Sequence, residues 1–522
     1  VLSIDRLSLR IGAAEILRDV SFDIGAGEVF GLVGESGSGK SMTALAAMGL
    51  LPRGAAPSGR VAFEGRQILA AKERAMCALR GREIGMIFQE PMTALNPLKT
   101  IGDQVAETLL VHGAAGRFEA RRVAEARLDR VGLGAVGAER FPHELSGGQR
   151  QRVCIALAVA LRPKLLIADE PTTALDVTTQ AQILDLLKGL VDEDGMALWL
   201  ITHDLAVVAD VADHVAVMRD GALVEAGRTE AVFRAPKAAY TRKLMADSTH
   251  VPDRKAGAQS APILEVSGAV RDYPAGRAGL FGPRKSFRAV DGVSLTVRAG
   301  ESVGLVGESG CGKSTLTRAI LGLDALQGGE IRLDGERIAA PAVPPPLRAK
   351  MQVVFQDPFG SFNPRHKVAR LVAEPFHLTP VPDIGARVAE ALEAVGLAPG
   401  DAEKYIHEFS GGQRQRIAIA RAIVIRPKLV VLDEAVSALD VSIRARILDL
   451  LAELQARFGL SYLFISHDLS VVRAVTDRVL VMQAGRIVEE GATEQVFGAP
   501  AHAYTRALIA AAPRIPEGWL AA

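Results

Sequence analysis

The string GESGSGKS at 34–41 returns as GESGCGKS at 307–314, and a chain written twice is expected to fold twice. Lys40 recurs as Lys313 at an offset of 273 residues, and Gln89 recurs as Gln356 at 267. LSGGQRQR (145–152), ADEPTTALD (168–176) and ITHDL (201–205) recur as FSGGQRQR, LDEAVSALD and ISHDL, all at 264. The offset falls where the two copies have loops of unequal length. Solenoid repeats have periods of roughly 20–50 residues, so this is instead a duplicated domain of about 250 residues. We read a first domain over 1–247, a linker over 248–262 and a second domain over 263–522. The linker stretch is polar, rich in small residues, broken by two prolines and without apolar periodicity.

Each half begins with short strand-like runs, LSIDRLSLRI and ILEVSGAV, and continues with the uninterrupted apolar runs VFGLVG and LLIAD. Uninterrupted runs of this length suit strands buried on both faces of a parallel sheet. Helical patterns such as KSMTALAAMGLL and TQAQILDLLKGLVDE alternate with them, so an α/β fold is expected. Residues 91–160 carry helical pattern and no buried strand, which predicts a helical subdomain inserted into the α/β core. FEARRVAEARLDR, with both charge signs mixed, reads as a solvated helix face.

The totals exclude several classes. Sixty-one basic against 60 acidic side chains leave a formal charge of +1, without the basic excess or stripe of a nucleic-acid binder. Cys77, Cys154 and Cys311 lie far apart, with neither metal spacing nor a disulfide framework. The first residues lack the charged leader and apolar core of a signal peptide. The longest apolar run, VCIALAVAL (153–161), is too short for a membrane span of about 20 residues.

The repeated strings carry the chemistry. G-x-x-x-x-G-K-S after a strand and before a helix is a phosphate cradle. Its glycines admit backbone N–H groups close to a phosphate, and the helix N-terminus adds partial positive charge. Lys40 and Lys313 reach β- and γ-phosphates, and the Ser41 and Ser314 hydroxyls suit Mg²⁺. Asp169 and Asp433 end apolar runs and suit the same cation. Glu170 and Glu434 follow them, placed to polarise a water for attack on a γ-phosphate. His203 and His467 close further strand-like runs and suit a γ-phosphate contact. SGGQ opens a helix as a second anion-binding N-terminus without a lysine, a clamp rather than a second pocket.

The ordered set of phosphate loop, Gln, LSGGQ, DE, ALD and His resembles the ATP-binding cassette (ABC) ATPases over essentially the whole chain, twice. The resemblance implies two tandem P-loop NTPase domains. Each is a RecA-like α/β core with an inserted helical subdomain and an N-terminal antiparallel β subdomain. It implies ATP and Mg²⁺ as the bound groups and head-to-tail pairing of the two cassettes within one chain. One site would combine Gly34, Ser36, Gly37, Gly39, Lys40, Ser41, Met42, Gln89, Asp169, Glu170 and His203 with Ser410, Gly411, Gly412 and Gln413. The other would combine Gly307, Ser309, Gly310, Gly312, Lys313, Ser314, Thr315, Gln356, Asp433, Glu434 and His467 with Ser146, Gly147, Gly148 and Gln149. Gln89 and Gln356 would coordinate water or Mg²⁺, and Asp176 and Asp440 would link the sites.

Finer strings resemble one branch. FQEPMTALNP (88–97), FQDPFGSFNP (355–364) and PHELSGGQ (142–149) are similar to the dipeptide/oligopeptide/nickel importers. So are the P-x-x-x-Y-T-x-x-L elements in APKAAYTRKLM (235–245) and APAHAYTRALI (499–509). Length and linker place the chain nearest the fused peptide/microcin C type, with an importer ATPase for glutathione, nickel or another small solute as the alternative. That branch implies a motor for import of peptides or peptide-like solutes, peripheral on the cytoplasmic face of the bacterial inner membrane. Its implied partners are two transmembrane permease subunits and, indirectly, an extracytoplasmic solute-binding protein. No iron–sulfur centre is expected, because the chain lacks the cysteine cluster of some dipeptide relatives. A twin-cassette translation factor would carry a long charged helical linker, and DNA-repair relatives carry zinc modules; neither pattern is present. The family places an aromatic on adenine ahead of the phosphate loop. Tyr273 fills that position in the second half, and Ile11 stands there in the first.

Overall fold

The computed structural model describes residues 1–173, 175–254, 261–277, 284–357, 360–437 and 439–519. Residues 255–260 of the predicted linker and the stretch 278–283 after Tyr273 lie outside them. The described chain forms two units. One holds 1–175, 179–249 and 513–519; the other holds 176–178 and 250–512. Residues 250–254 thus group with the second unit, where His250 Nε2 lies 2.6 Å from Asp449 and Arg254 donates to Asp477 at 2.8 Å.

In the first unit a six-stranded sheet runs in the order Ala222–Arg228, His214–Arg219, Val29–Val33, Ala197–Thr202, Leu165–Asp169 and Ile84–Ile87. Only the first pair is antiparallel; the other pairs are parallel. The two runs expected to be buried strands, Val29–Val33 and Leu165–Asp169, are buried at all ten positions. A separate antiparallel sheet comprises Ala14–Ile24, Leu2–Ile11, Ala55–Phe63 and Arg66–Gln67. Its inward residues share one core with the helix Lys40–Ala47 and one face of the parallel sheet. There the Phe22 and Phe30 rings stack at 4.7 Å and Trp199 meets Phe22 edge-on at 5.2 Å. The opposite face packs against the helical insertion. Within that insertion the helix Arg117–Arg130 buries only Ala120, Ala124 and Leu128, spaced by four, which accounts for its polar sequence.

The second unit repeats this plan. Its parallel sheet runs Met351–Val354, Leu429–Asp433, Ser461–Ile465, Ser302–Val306 and Arg478–Gln483, with Arg486–Ala492 antiparallel at the edge. Its antiparallel sheet is Arg284–Arg298, Pro262–Arg277, Gly328–Leu333 and Glu336–Arg337. In both units the segment between the Gln-bearing strand end and the acid-bearing strand is helical, as the sequence predicts.

Candidate active sites

Register brings the chemistry to one edge. In the first unit Val33 pairs with Thr202 and Asp169 pairs with Ile201. The loop after Val33, the acid pair at 169–170 and His203 therefore leave the sheet side by side at its carboxyl edge. That edge is where open α/β sheets bind ligands. The phosphate loop turns there because Gly34 and Gly39 hold φ of 155° and 102°, and a Cβ on Gly34 would lie 2.2 Å from the Met218 carbonyl oxygen. Gly37, also at positive φ, has open space around it, as a cradle needs.

Lys40 is 5% exposed, and its ammonium donates to the Gly34 and Glu35 carbonyls at 2.7 and 2.9 Å. Lys313 does the same to Gly307 and Glu308, at 2.6 and 2.9 Å. A buried cation in a glycine-rich loop that opens a helix is a site for an anion. Ser41 donates its hydroxyl to Asp169 at 3.1 Å. Burial, with the Glu170 charge beside it, pushes the Asp169 carboxyl up, and the same causes raise Asp433. A buried carboxylate with a hydroxyl at one point is a set of hard oxygen donors that fits Mg²⁺.

Glu170 and Glu434 stand at φ of 48° and 51°, a left-handed conformation that costs a non-glycine residue about 1–3 kcal/mol and clusters at functional positions. Their amides donate to Ile201 and Ile465 at 2.8 Å, which holds the kink. His203 Nδ1 lies 3.3 Å from Glu170, and His467 Nδ1 lies 3.3 Å from Glu434. Burial raises the Glu170 carboxyl, but the His203 hydrogen bond and charge, with Thr173, bring it below the ordinary value. For Glu434 the His467 hydrogen bond is the larger influence, and the result is again a lowered carboxyl. Each glutamate is thus kept as a carboxylate, the form that accepts a proton. Both histidines are positioned by the residue that follows: Asp204 and Asp468 cap the next helix by accepting from the amides at 206 and 470.

The units differ around the glutamate. Gln89 donates to Glu170 at 3.0 Å and Thr173 donates to it at 2.9 Å. Ser437, at the position of Thr173, turns to the Glu434 backbone carbonyl instead, at 2.9 Å. Gln356 is exposed beyond its strand, and among the described contacts it makes no hydrogen bond to Glu434. Thr173 escaped the sequence reading; its signal is the TT of DEPTTALD against the VS of DEAVSALD.

The SGGQ segments do not join this cluster within their own units. Ser146 caps its helix by accepting from Gln149 N at 3.3 Å while Gln149 Oε1 accepts from Ser146 N at 3.0 Å; Ser410 and Gln413 repeat this reciprocal pair. The glycines between have separate reasons. A Cβ on Gly148 or Gly412 would strike Thr179 or Ile443 at 2.4 or 2.7 Å, whereas Gly411 has open space and Gly147 nothing nearer than 3.8 Å. Asp176 is counted with the second unit, and within that unit its carboxylate accepts from the Ser309 amide at 3.3 Å.

The adenine-side positions correspond by register: Ile11 pairs with Ala14, and Tyr273 pairs with Phe287. Tyr273 donates to Asp324 at 3.2 Å, and the Arg271 guanidinium sits 4.8 Å from its ring centroid. Met42 and Thr315 occupy the first turns of the helices after the loops.

Residues 17–173 and 290–437 match the ABC transporter family model, and residues 224–279 and 488–521 match the C-terminal region of oligopeptide/dipeptide transporters. The chain is 50% identical over 515 residues to the peptidoglycan transport ATP-binding protein YejF of Agrobacterium fabrum, covering 96% of this chain and 94% of that one. It is 46% identical over 538 residues to the glutathione import ATP-binding protein GsiA of Escherichia coli K12, covering 95% and 86%. Among solved structures, cbiO1 of Clostridium perfringens, part of an ABC transporter complex, matches with a TM-score of 0.41 and 30% identity over 46% of this chain and 91% of that one.

Proposed function

The chain belongs to the ABC transporter family, as a fused pair of its ATP-binding cassettes with the oligopeptide/dipeptide C-terminal region, and from that premise we propose that it drives import of peptides or peptide-like solutes through partner permeases. The motor role rests on the pairing, in each unit, of a buried loop lysine with a strained glutamate held 3.3 Å from a histidine at one sheet edge, and the peptide class rests on the oligopeptide/dipeptide match at 224–279 and 488–521.

Each loop holds the ATP phosphates with its backbone amides and its lysine. Ser41 with Asp169, and Ser314 with Asp433, would hold Mg²⁺, which would neutralise charge on the phosphates. Glu170 and Glu434 orient a water and take its proton as its oxygen attacks the γ-phosphorus, the bond from that phosphorus to the β,γ-bridging oxygen breaks and ADP leaves, and His203 and His467 keep the carboxylates aimed. The Ser146 and Ser410 helix starts present the Gly147–Gly148 and Gly411–Gly412 amides to the phosphate held by the opposite cassette. ATP binding then draws the cassettes together, and hydrolysis removes the bond that holds them.

That motion is passed to membrane partners, because no helix among the described residues is long and apolar enough to cross a membrane. The docking face is the helical insertion beside the Gln-bearing strand ends. There Phe88, Leu98, Val111 and Phe118 are 43%, 86%, 75% and 87% exposed, and Phe355 flanks Gln356 in the second unit. Two permeases on the cytoplasmic face of the inner membrane, fed by a binding protein outside, complete the machine. Solute choice resides in those chains, and the names of the relatives favour peptide-containing solutes. The test is co-purification: the tagged chain should bring down two membrane-spanning subunits encoded beside it and support ATP-dependent peptide uptake in their vesicles. Recovery with ribosomes and no membrane partner would overturn the reading.

The adenine sides differ. An aromatic partner adds about 0.5–1.5 kcal/mol of stacking between rings, and Ile11 lacks it. Ile11→Tyr is expected to tighten nucleotide at the Lys40 site about two- to tenfold, read by titration with a fluorescent ATP analogue in a Lys313→Ala background.

A further inference from the structure

The oligopeptide-type tail touches the phosphate loop in both units. The Tyr240 hydroxyl accepts from the Glu35 amide at 3.4 Å, and the Tyr504 hydroxyl accepts from the Glu308 amide at 3.0 Å. Each tyrosine is the Y of a P-x-x-x-Y-T element, about 200 residues later in the chain than the amide it meets.

The tail is fixed before it reaches the loop. Glu225, on the edge strand Ala222–Arg228, accepts from the Lys237 and Ala238 amides at 2.8 and 3.1 Å. Glu489, on Arg486–Ala492, accepts from Ala501 and His502 at 2.7 and 3.0 Å. These carboxylates seat the starts of the helices Ala239–Ser248 and Ala503–Ala511, whose first turns carry Tyr240 and Tyr504. The Arg219 guanidinium lies 5.0 Å from the Tyr240 ring centroid, and Tyr240 is buried. Burial pushes the Tyr504 phenol up to about 12, so it stays a neutral hydroxyl at working pH.

The same loop is gripped from a second side. The turn between the last two strands donates Gly221 N–H to the Ser38 carbonyl at 3.0 Å, and Gly485 N–H to Cys311 at 2.8 Å. The Glu35 amide and Ser38 carbonyl in the first loop, and the Glu308 amide and Cys311 carbonyl in the second, are thus bound by the C-terminal tail and hairpin. A loop whose amides must converge on one anion loses affinity when its outer edge is free to move.

We propose that Tyr240 and Tyr504 are positioning residues that hold the phosphate loops in their ATP-binding shape, so that the tail sets nucleotide affinity in each cassette. This rests on the reading of the loops as ATP sites. The tyrosines touch no reacting atom, so their effect falls on binding and not on the chemical step.

The test is Tyr240→Phe, Tyr504→Phe and the double variant in the full chain, with steady-state ATPase and titration of a fluorescent ATP analogue. Phenylalanine keeps the ring and removes the hydroxyl, both its acceptor for the loop amide and its own O–H donor. One neutral hydrogen bond corresponds to about a three- to tenfold rise in ATP KM and Kd, with kcat within twofold and the melting temperature unchanged. Unchanged KM and Kd in both single variants overturn the proposal. A loss of kcat and melting temperature together, without the KM split, also overturns it, because that is a packing role. Lys40→Ala with Lys313→Ala serves as the reference: if that chain still binds ATP as wild type does, the ATP-site reading itself has failed rather than the tyrosine proposal.

Discussion

Glu170→Gln and Glu434→Gln will each cut ATP turnover by about 10²- to 10⁴-fold while leaving ATP bound, and the double variant will be little worse than either single one. Glutamine keeps the size of the side chain and a carbonyl for the histidine, but it cannot take a proton from water. Both units place the glutamate in the same left-handed kink and against a histidine at the same distance. Both sites are therefore expected to hydrolyse ATP, despite Ala435 in the second where the first has Pro171. Coupling is expected from the proposed cycle, in which the cassettes would reopen only after both contacts are released. The check is phosphate release by the purified chain, alongside a nucleotide-binding titration. Turnover near wild type in one of the two single variants would assign hydrolysis to the other site alone.

The second large effect is expected at Gly411. Its Cα faces open space, so Asp is accommodated there in the free unit, and an acid in the first turn of a helix is favourable. Gly411→Asp should melt within a degree or two of the parent. Against a γ-phosphate held by the opposite loop, however, the new carboxylate is a like charge and blocks a helix start of free amides. Loss of such an anion-stabilising group costs about 10²-fold or more in turnover. Gly412→Asp is the contrast: it strikes Ile443 and should lower the melting temperature as well. If Gly411→Asp turns over ATP normally, that glycine does not approach a phosphate.

Much of this was legible in the sequence because motif and strand end coincide. The continuous apolar runs at Val29–Val33 and Leu165–Asp169 read as strands buried on both faces of a parallel sheet, which puts the residues just beyond them at one edge. The helical insertion was legible from the helical pattern between the Gln and the acid pair, where the long apolar run VCIALAVAL continues the helix that SGGQ opens. What local pattern could not carry is tertiary satisfaction of single polar groups. Thr173 reaches the Glu170 carboxylate while Ser437, one methyl smaller, turns to backbone. Tyr240 reaches an amide 205 residues back in the chain, a contact with no periodicity to betray it. The Ser146–Gln149 capping box fits the S-x-x-Q spacing, but that spacing alone does not separate a helix cap from a phosphate clamp. The grouping of 513–519 with the first unit likewise has no local signal.

The central claim is that each ATP site is shared, one cassette giving the phosphate loop and the other the SGGQ helix start. It is tested most directly by replacing Cys77, Cys154 and Cys311 with serine, adding Ser36→Cys and Ser410→Cys in the Glu170→Gln, Glu434→Gln background, and following disulfide formation under mild oxidant. The account predicts a cross-link within one chain that forms rapidly with ATP and slowly without it. Equal, slow oxidation in both conditions would contradict it.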